Sequence, residues 1–100
     1  MKELWIIGIA NSESERVVIQ QVLGTVDEVK NHLINLIKED RKNDEENYDL
    51  GSDDVDDIEE YYVDNDDSNK IYQLEGFATY LEYHINYTAT LSSENTVIEL

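Results

Sequence analysis

Fifteen aspartate and glutamate side chains fall between residues 39 and 67, against only Arg41 and Lys42. The stretch EDRKNDEENYDLGSDDVDDIEEYYVDNDD therefore carries thirteen of the chain's seventeen net negative charges. Like charges at this density repel one another and oppose any compact state. Lys or Asn on a solvated face would cost the fold less, so the acids read as a working surface. A positively charged protein groove or bound cations are the partners that such a surface fits.

One hundred residues make one domain with one modest core, so residues 1–100 are read as a single domain that includes the acidic segment 39–69. Apolar residues reach 40%, too many for a purely disordered acidic tail, and they cluster in patterned runs towards both ends. The chain has no cysteine, which rules out disulfides and thiolate metal sites and fits a reducing, cytoplasmic setting. Leu4–Ala10 is too short for a secretory leader and lacks its flanks. No apolar run reaches the roughly 20 residues that span a bilayer. Anionic membranes and free nucleic acid would both repel the chain, so direct binding to either is not expected.

Leu4-Trp5-Ile6-Ile7-Gly8-Ile9 predicts a strand, apolar on both faces and therefore expected to be covered on both. Asn11–Ser14 is turn material, and the β-branched run Arg16–Leu23 predicts a hairpin partner that Gly24 ends. Thr25-Val26-Asp27-Glu28 is a capping box, and Val26, Val29, Leu33, Leu36 and Ile37 then repeat at helical spacing. A helix over roughly 25–42 follows, with Lys38, Arg41 and Lys42 suiting its C-terminal dipole. Ser52, the acids after it and the stripe Val55, Ile58 and Tyr61 or Tyr62 predict a short second helix over about 53–62. Asp64–Asn69 reads as a polar loop. Ile71–Thr79 and Tyr83–Leu91 predict two more strands, the second with a clear period of two, and Val97–Leu100 a short edge strand. The order ββααβββ predicts an α+β fold: an antiparallel sheet of four to five strands with one long and one short helix on one face.

No constellation for catalysis stands out, and the chain is not expected to be an enzyme. Acid–base chemistry needs a carboxyl with a tuned pKa in a partly buried pocket, whereas the acids here read as solvated. His32 and His84 lie in different elements without ligand spacing; His32 is expected on the solvent side of the first helix and His84 on the polar face of a strand. Only four glycines are present, with no phosphate-cradling loop and no nucleophile elbow. Asp64–Glu75 resembles a calcium loop of the EF-hand type, with Asp64, Asp66, Ser68 and Glu75 at ligand positions and Ile71 at the eighth. It departs from that pattern in having Asn69 where glycine makes the turn, and in acidic flanks. Most of the seven tyrosines read as rings beneath the sheet with wet hydroxyls. Tyr48, Tyr61 and Tyr62 are interleaved with acids and could stack on arginines of a basic partner.

The runs Gly24-Thr25, Asp27–Lys30, Glu39-Asp40, Asn43-Asp44, Gly51 with Ile58–Glu60, and Tyr83–Ala89 resemble small uncharacterised acidic proteins of Gram-positive bacteria and their mobile elements. That resemblance covers most of the chain and implies no activity and no catalytic residues. In size, charge and α/β mix the chain is also similar, as a class, to acidic phage-encoded anti-CRISPR and anti-restriction proteins that imitate DNA. The function expected is thus a DNA-mimicking inhibitor that fills the basic groove of a nucleic-acid-binding protein such as a Cas or restriction nuclease. Its surface would comprise Asp53, Asp54, Asp56, Asp57, Glu59, Glu60, Asp64, Asp66 and Asp67, supported by Asp44, Glu45, Glu46, Tyr48, Tyr61 and Tyr62. An acidic protein-binding module without mimicry and a calcium binder through 64–75 stay open as alternatives. No cofactor is implied, and the oligomeric state is open.

Overall fold

The computed structural model describes residues 2–13, 16–44, 58–62 and 70–92. Five strands and one helix make up this part: β1 (Glu3–Asn11), β2 (Arg16–Gly24), α1 (Val26–Asn43), β3 (Glu59–Tyr62), β4 (Ile71–Thr79) and β5 (His84–Leu91). The strands form one sheet in the order β2-β1-β5-β4-β3, with every neighbouring pair antiparallel. The α+β class and the antiparallel sheet are thus as the sequence pattern predicts, but the fifth described strand is Glu59–Tyr62, which that pattern placed in a helix.

α1 begins where the capping box places it. Thr25 is extended, its hydroxyl accepts the Glu28 amide, and the Glu28 carboxylate accepts the Thr25 amide. Two of the amides that a helix start leaves unpaired are thereby satisfied. Val29, Leu33 and Ile37, four residues apart, are the buried stripe of this helix. They pack on the alternate residues that the sheet turns towards them: Trp5 and Ile7 of β1, Ile85, Tyr87, Ala89 and Leu91 of β5, and Leu74 and Ala78 of β4. Each buried aliphatic side chain contributes roughly 1.5–3 kcal/mol. Gly76 lets α1 come close, since a Cβ there would lie 2.9 Å from Ile37 Cδ1 and 3.0 Å from Ile58 Cδ1.

Two expectations change, and two fall outside the described residues. Glu59–Tyr62 is strand, not the end of a second helix, so the described elements run ββαβββ with one helix. The apolar spacing of Ile58 and Tyr61 imitates a helical stripe, but Glu59–Tyr62 pairs with β4 from Glu59↔Glu75 to Tyr62↔Ile71, with a bulge at Tyr61/Tyr62. Residues 53–57 of the expected helix, and the expected edge strand Val97–Leu100, lie outside the described residues. Nor is β1 covered on both faces among the described residues. Trp5 and Ile7 are buried under α1, whereas Leu4, on the other face, is exposed. One helix can cover only one side of a sheet.

Candidate functional site

β3 is the sheet edge farthest from β2, and it carries its acids on both faces. Glu60 pairs in register with Leu74, a core residue, so it turns towards α1. There Lys30 holds it at 2.9 Å, and the Tyr62 hydroxyl donates to the same carboxylate at 3.2 Å. The Lys30 hydrogen bond lowers the Glu60 pKa, and the same bond raises that of Lys30. The acid on this face is therefore neutralised.

The opposite face differs. Glu59 stands directly across from Glu75 of β4, two like charges at one cross-strand position. Such pairs destabilise a sheet. The Tyr61 hydroxyl lies between them, 2.7 Å from Glu59 Oε2 and 3.3 Å from Glu75 Oε2. Hydrogen bonding to Glu59 leads the causes that push the Tyr61 pKa up to about 12. Tyr61 therefore stays a donor throughout the neutral range, and the result is two carboxylates bridged by one phenol. The only Lys or Arg anywhere in the five strands is Arg16, at the far edge.

The acids at the end of α1 are engaged in the fold. Asp44, expected at the partner surface, accepts a hydrogen bond from the Tyr83 hydroxyl and caps α1 through its own amide, which donates to the Asp40 carbonyl at 3.2 Å. One turn earlier, Asp40 accepts the Tyr87 hydroxyl at 2.6 Å. Charge pattern alone did not reveal these contacts. The signal available was that Tyr87 falls on the core side of its strand, where a buried hydroxyl requires an acceptor. His32 is half-buried and not on open solvent, with Nε2 3.3 Å from Gln20 Oε1. His84 is exposed and its ring packs 5.3 Å from that of Phe77.

Of the expected partner-binding residues, the structure brings together Glu59, Glu60, Tyr61 and Tyr62 on β3. Glu45, Glu46, Tyr48, Asp53, Asp54, Asp56, Asp57, Asp64, Asp66 and Asp67 lie outside the described residues, as does Ser68 of the calcium-loop reading. Glu75, the last ligand position of that reading, is in the middle of the nine-residue strand β4. An EF-hand requires a helix after its loop, and this segment is strand instead. Among the described residues no three acids or histidines gather as a metal site, and no helix is long and apolar enough to cross a membrane. Comparison with protein-family models, curated proteins and solved structures gives no match.

Proposed function

We propose that this chain is an acidic interaction protein that occupies a basic nucleic-acid-binding groove, acting as a DNA-mimicking inhibitor of a host defence nuclease. The observation that carries the reading is the opposed pair Glu59 and Glu75, held by Tyr61 on the face away from α1 with no cation paired to it among the described residues. A sheet edge gains nothing in stability from that pair. It gains when lysines and arginines of a partner arrive, because each then meets a fixed carboxylate. Directly opposed side chains in a sheet stand about 4.5–5.5 Å apart. Duplex DNA presents one charge per about 1.7 Å of axis; of the fifteen acids of residues 39–67, those not engaged by Lys30, Tyr83 and Tyr87 would stand in for such charges. Tyr61 adds a ring on which a guanidinium can stack. Inhibition is by competition: carboxylates take the places of phosphates, association is fast, and added salt weakens it.

The test measures displacement of a labelled duplex from purified Cas and restriction nucleases at several salt concentrations. The expected result is competitive displacement that fades as salt rises. A variant combining Glu59→Gln and Glu75→Gln with Asn at Asp53, Asp54, Asp56 and Asp57 should lose it. Displacement that survives these changes, or a complex that forms without releasing DNA, rejects mimicry; the second outcome leaves a protein-binding module.

A further inference from the structure

We infer that the β2 edge is the contact surface for a second copy of this chain, joining two sheets into one of ten strands. In a chain with 24 acids, β2 contains none. Nine residues long, it has β1 on one side and no strand on the other among the described residues. Four of its apolar side chains are open to solvent, with Val17 64%, Ile19 69% and Leu23 66% exposed on the face away from α1 and Val18 51% exposed on the other, where Val22 packs on the core. Leu4 and Ile6 of β1 extend this surface, since the register sets them beside Leu23 and Gln21. Long, flat, uncharged edges are the ones that pair with further strands, and proteins that must not pair place Lys, Pro or a bulge there. β2 has none of these along Val17–Gly24.

The strand is also complementary to itself. An antiparallel pair with its twofold axis at Gln20 engages all nine residues of RVVIQQVLG. Val17 then meets Leu23 of the other copy, Val18 meets Val22, and Ile19 meets Gln21. Arg16 falls opposite Gly24, so no like charges oppose one another. The acids favour the same arrangement. β3 is the fifth strand counted from β2, so two β3 edges in a ten-stranded sheet are nine spacings apart, about 43 Å at about 4.8 Å each. That is several times the Debye length of about 8 Å at physiological salt. Stacking two copies face to face is the less favourable alternative, because it would press the uncompensated Glu59 and Glu75 and the polar row His84, Asn86, Thr88 and Thr90 into an apolar contact. A basic partner is drawn to the acids, at the other end of the sheet.

Sedimentation velocity over a concentration series at 0.15 M NaCl tests the contact, with the dimer at twice the 11.6 kDa of the chain. Ile19→Lys should give monomer with an unchanged circular dichroism spectrum. The chain has no cysteine, so Gln20→Cys and Val17→Cys report the register. Under mild oxidation Gln20→Cys should cross-link to its own twin across the axis. Val17→Cys should not, because its twin is six residues away along the strand, about 20 Å at about 3.4 Å per residue. A monomer at 100 µM, a dimer that survives Ile19→Lys, or cross-linking at Val17→Cys in place of Gln20→Cys would each overturn the inference. None of these measurements depends on nuclease inhibition.

Discussion

Tyr87 and Asp40, 47 residues apart in sequence, are joined by a 2.6 Å hydrogen bond from phenol to carboxylate. Four residues on along α1, and four back along β5's chain, Tyr83 and Asp44 repeat the contact. Together they fasten the last turns of α1, the end that leads into the acidic segment, to the sheet. The Tyr87 ring is fully buried, and burial first, then the Asp40 bond, pushes its pKa far above the usual phenol range. Tyr83 is shifted the same way, by burial first and then by its bond to Asp44.

Stability should therefore fall at alkaline pH. A folded-state pKa above the unfolded value of about 10 favours the protonated phenol, so the contribution is complete below pH ~10 and is lost as pH climbs beyond it. Melting temperature measured from pH 8 to 11.5 should drop steeply above 10. In Tyr87→Phe the drop should be shallower. That variant also loses the Asp40 bond, at about 1 kcal/mol because the half-buried carboxylate regains water. A Tm lower by roughly 4–8 °C at pH 7 is the expected reading. An equally steep alkaline drop in Tyr87→Phe would assign the transition to other groups.

Thr25→Ala removes the hydroxyl that accepts the Glu28 amide. Loss of such a cap costs about 1 kcal/mol. The Glu28 pKa is lowered, chiefly by the Thr25 backbone amide and then by Lys2. A lowered carboxylate pKa contributes stability above the unfolded value of about 4.3 and loses it as pH falls. Urea melts at pH 7 should show the cost of Thr25→Ala. The difference between Glu28→Gln and the parent should be larger at pH 7 than at pH 3.5; a constant difference contradicts the pairing.

Local signals made much of this fold legible. The capping box Thr25–Glu28 gave the start of α1 because the bonds it forms are encoded within four residues. The alternation in Tyr83–Leu91 identified β5 and its buried side, which holds Ile85, Tyr87, Ala89 and Leu91. β3 was not legible, since Glu59–Tyr62 becomes strand only by pairing with β4, which begins nine residues further along the chain at Ile71. Such non-local pairing overrides a short apolar spacing. The site was half legible: the density of acids was evident, but not that Lys30 neutralises Glu60 while Glu59 faces Glu75.

Gly76→Val should weaken the helix–sheet contact. Even its Cβ would come within 2.9 Å of Ile37 Cδ1, and both neighbouring isoleucines are in the core. Overpacking of this kind costs about 1–3 kcal/mol. Pairing Gly76→Val with Ile37→Val should recover part of the loss, because the deleted methyl is the one struck. A double variant no more stable than Gly76→Val would show that the strain lies elsewhere.

Glu75→Lys separates stability from function at one position. It turns the opposed pair Glu59 and Glu75 into an attractive one, which in a sheet is worth roughly 0.2–1 kcal/mol for a single pair, and it reduces the repulsion from the chain's net charge of −17. Melting temperature should rise, and the gain should shrink as sodium chloride is added, since salt screens the same repulsion in the parent. The parent itself should melt higher in 0.5 M salt than in 0.02 M. Tyr61, now beside an ammonium group, should titrate below about 12, the value set mainly by Glu59 and also by Glu75, in a 13C-tyrosine NMR titration. On the proposed mimicry, displacement of DNA from a nuclease should weaken at the same time, because a cation would then stand where the partner's cations are proposed to dock. A more stable protein that inhibits less is what a surface kept for binding predicts. Glu75→Lys that is less stable, or that inhibits equally well, argues that the two carboxylates are opposed for some other reason.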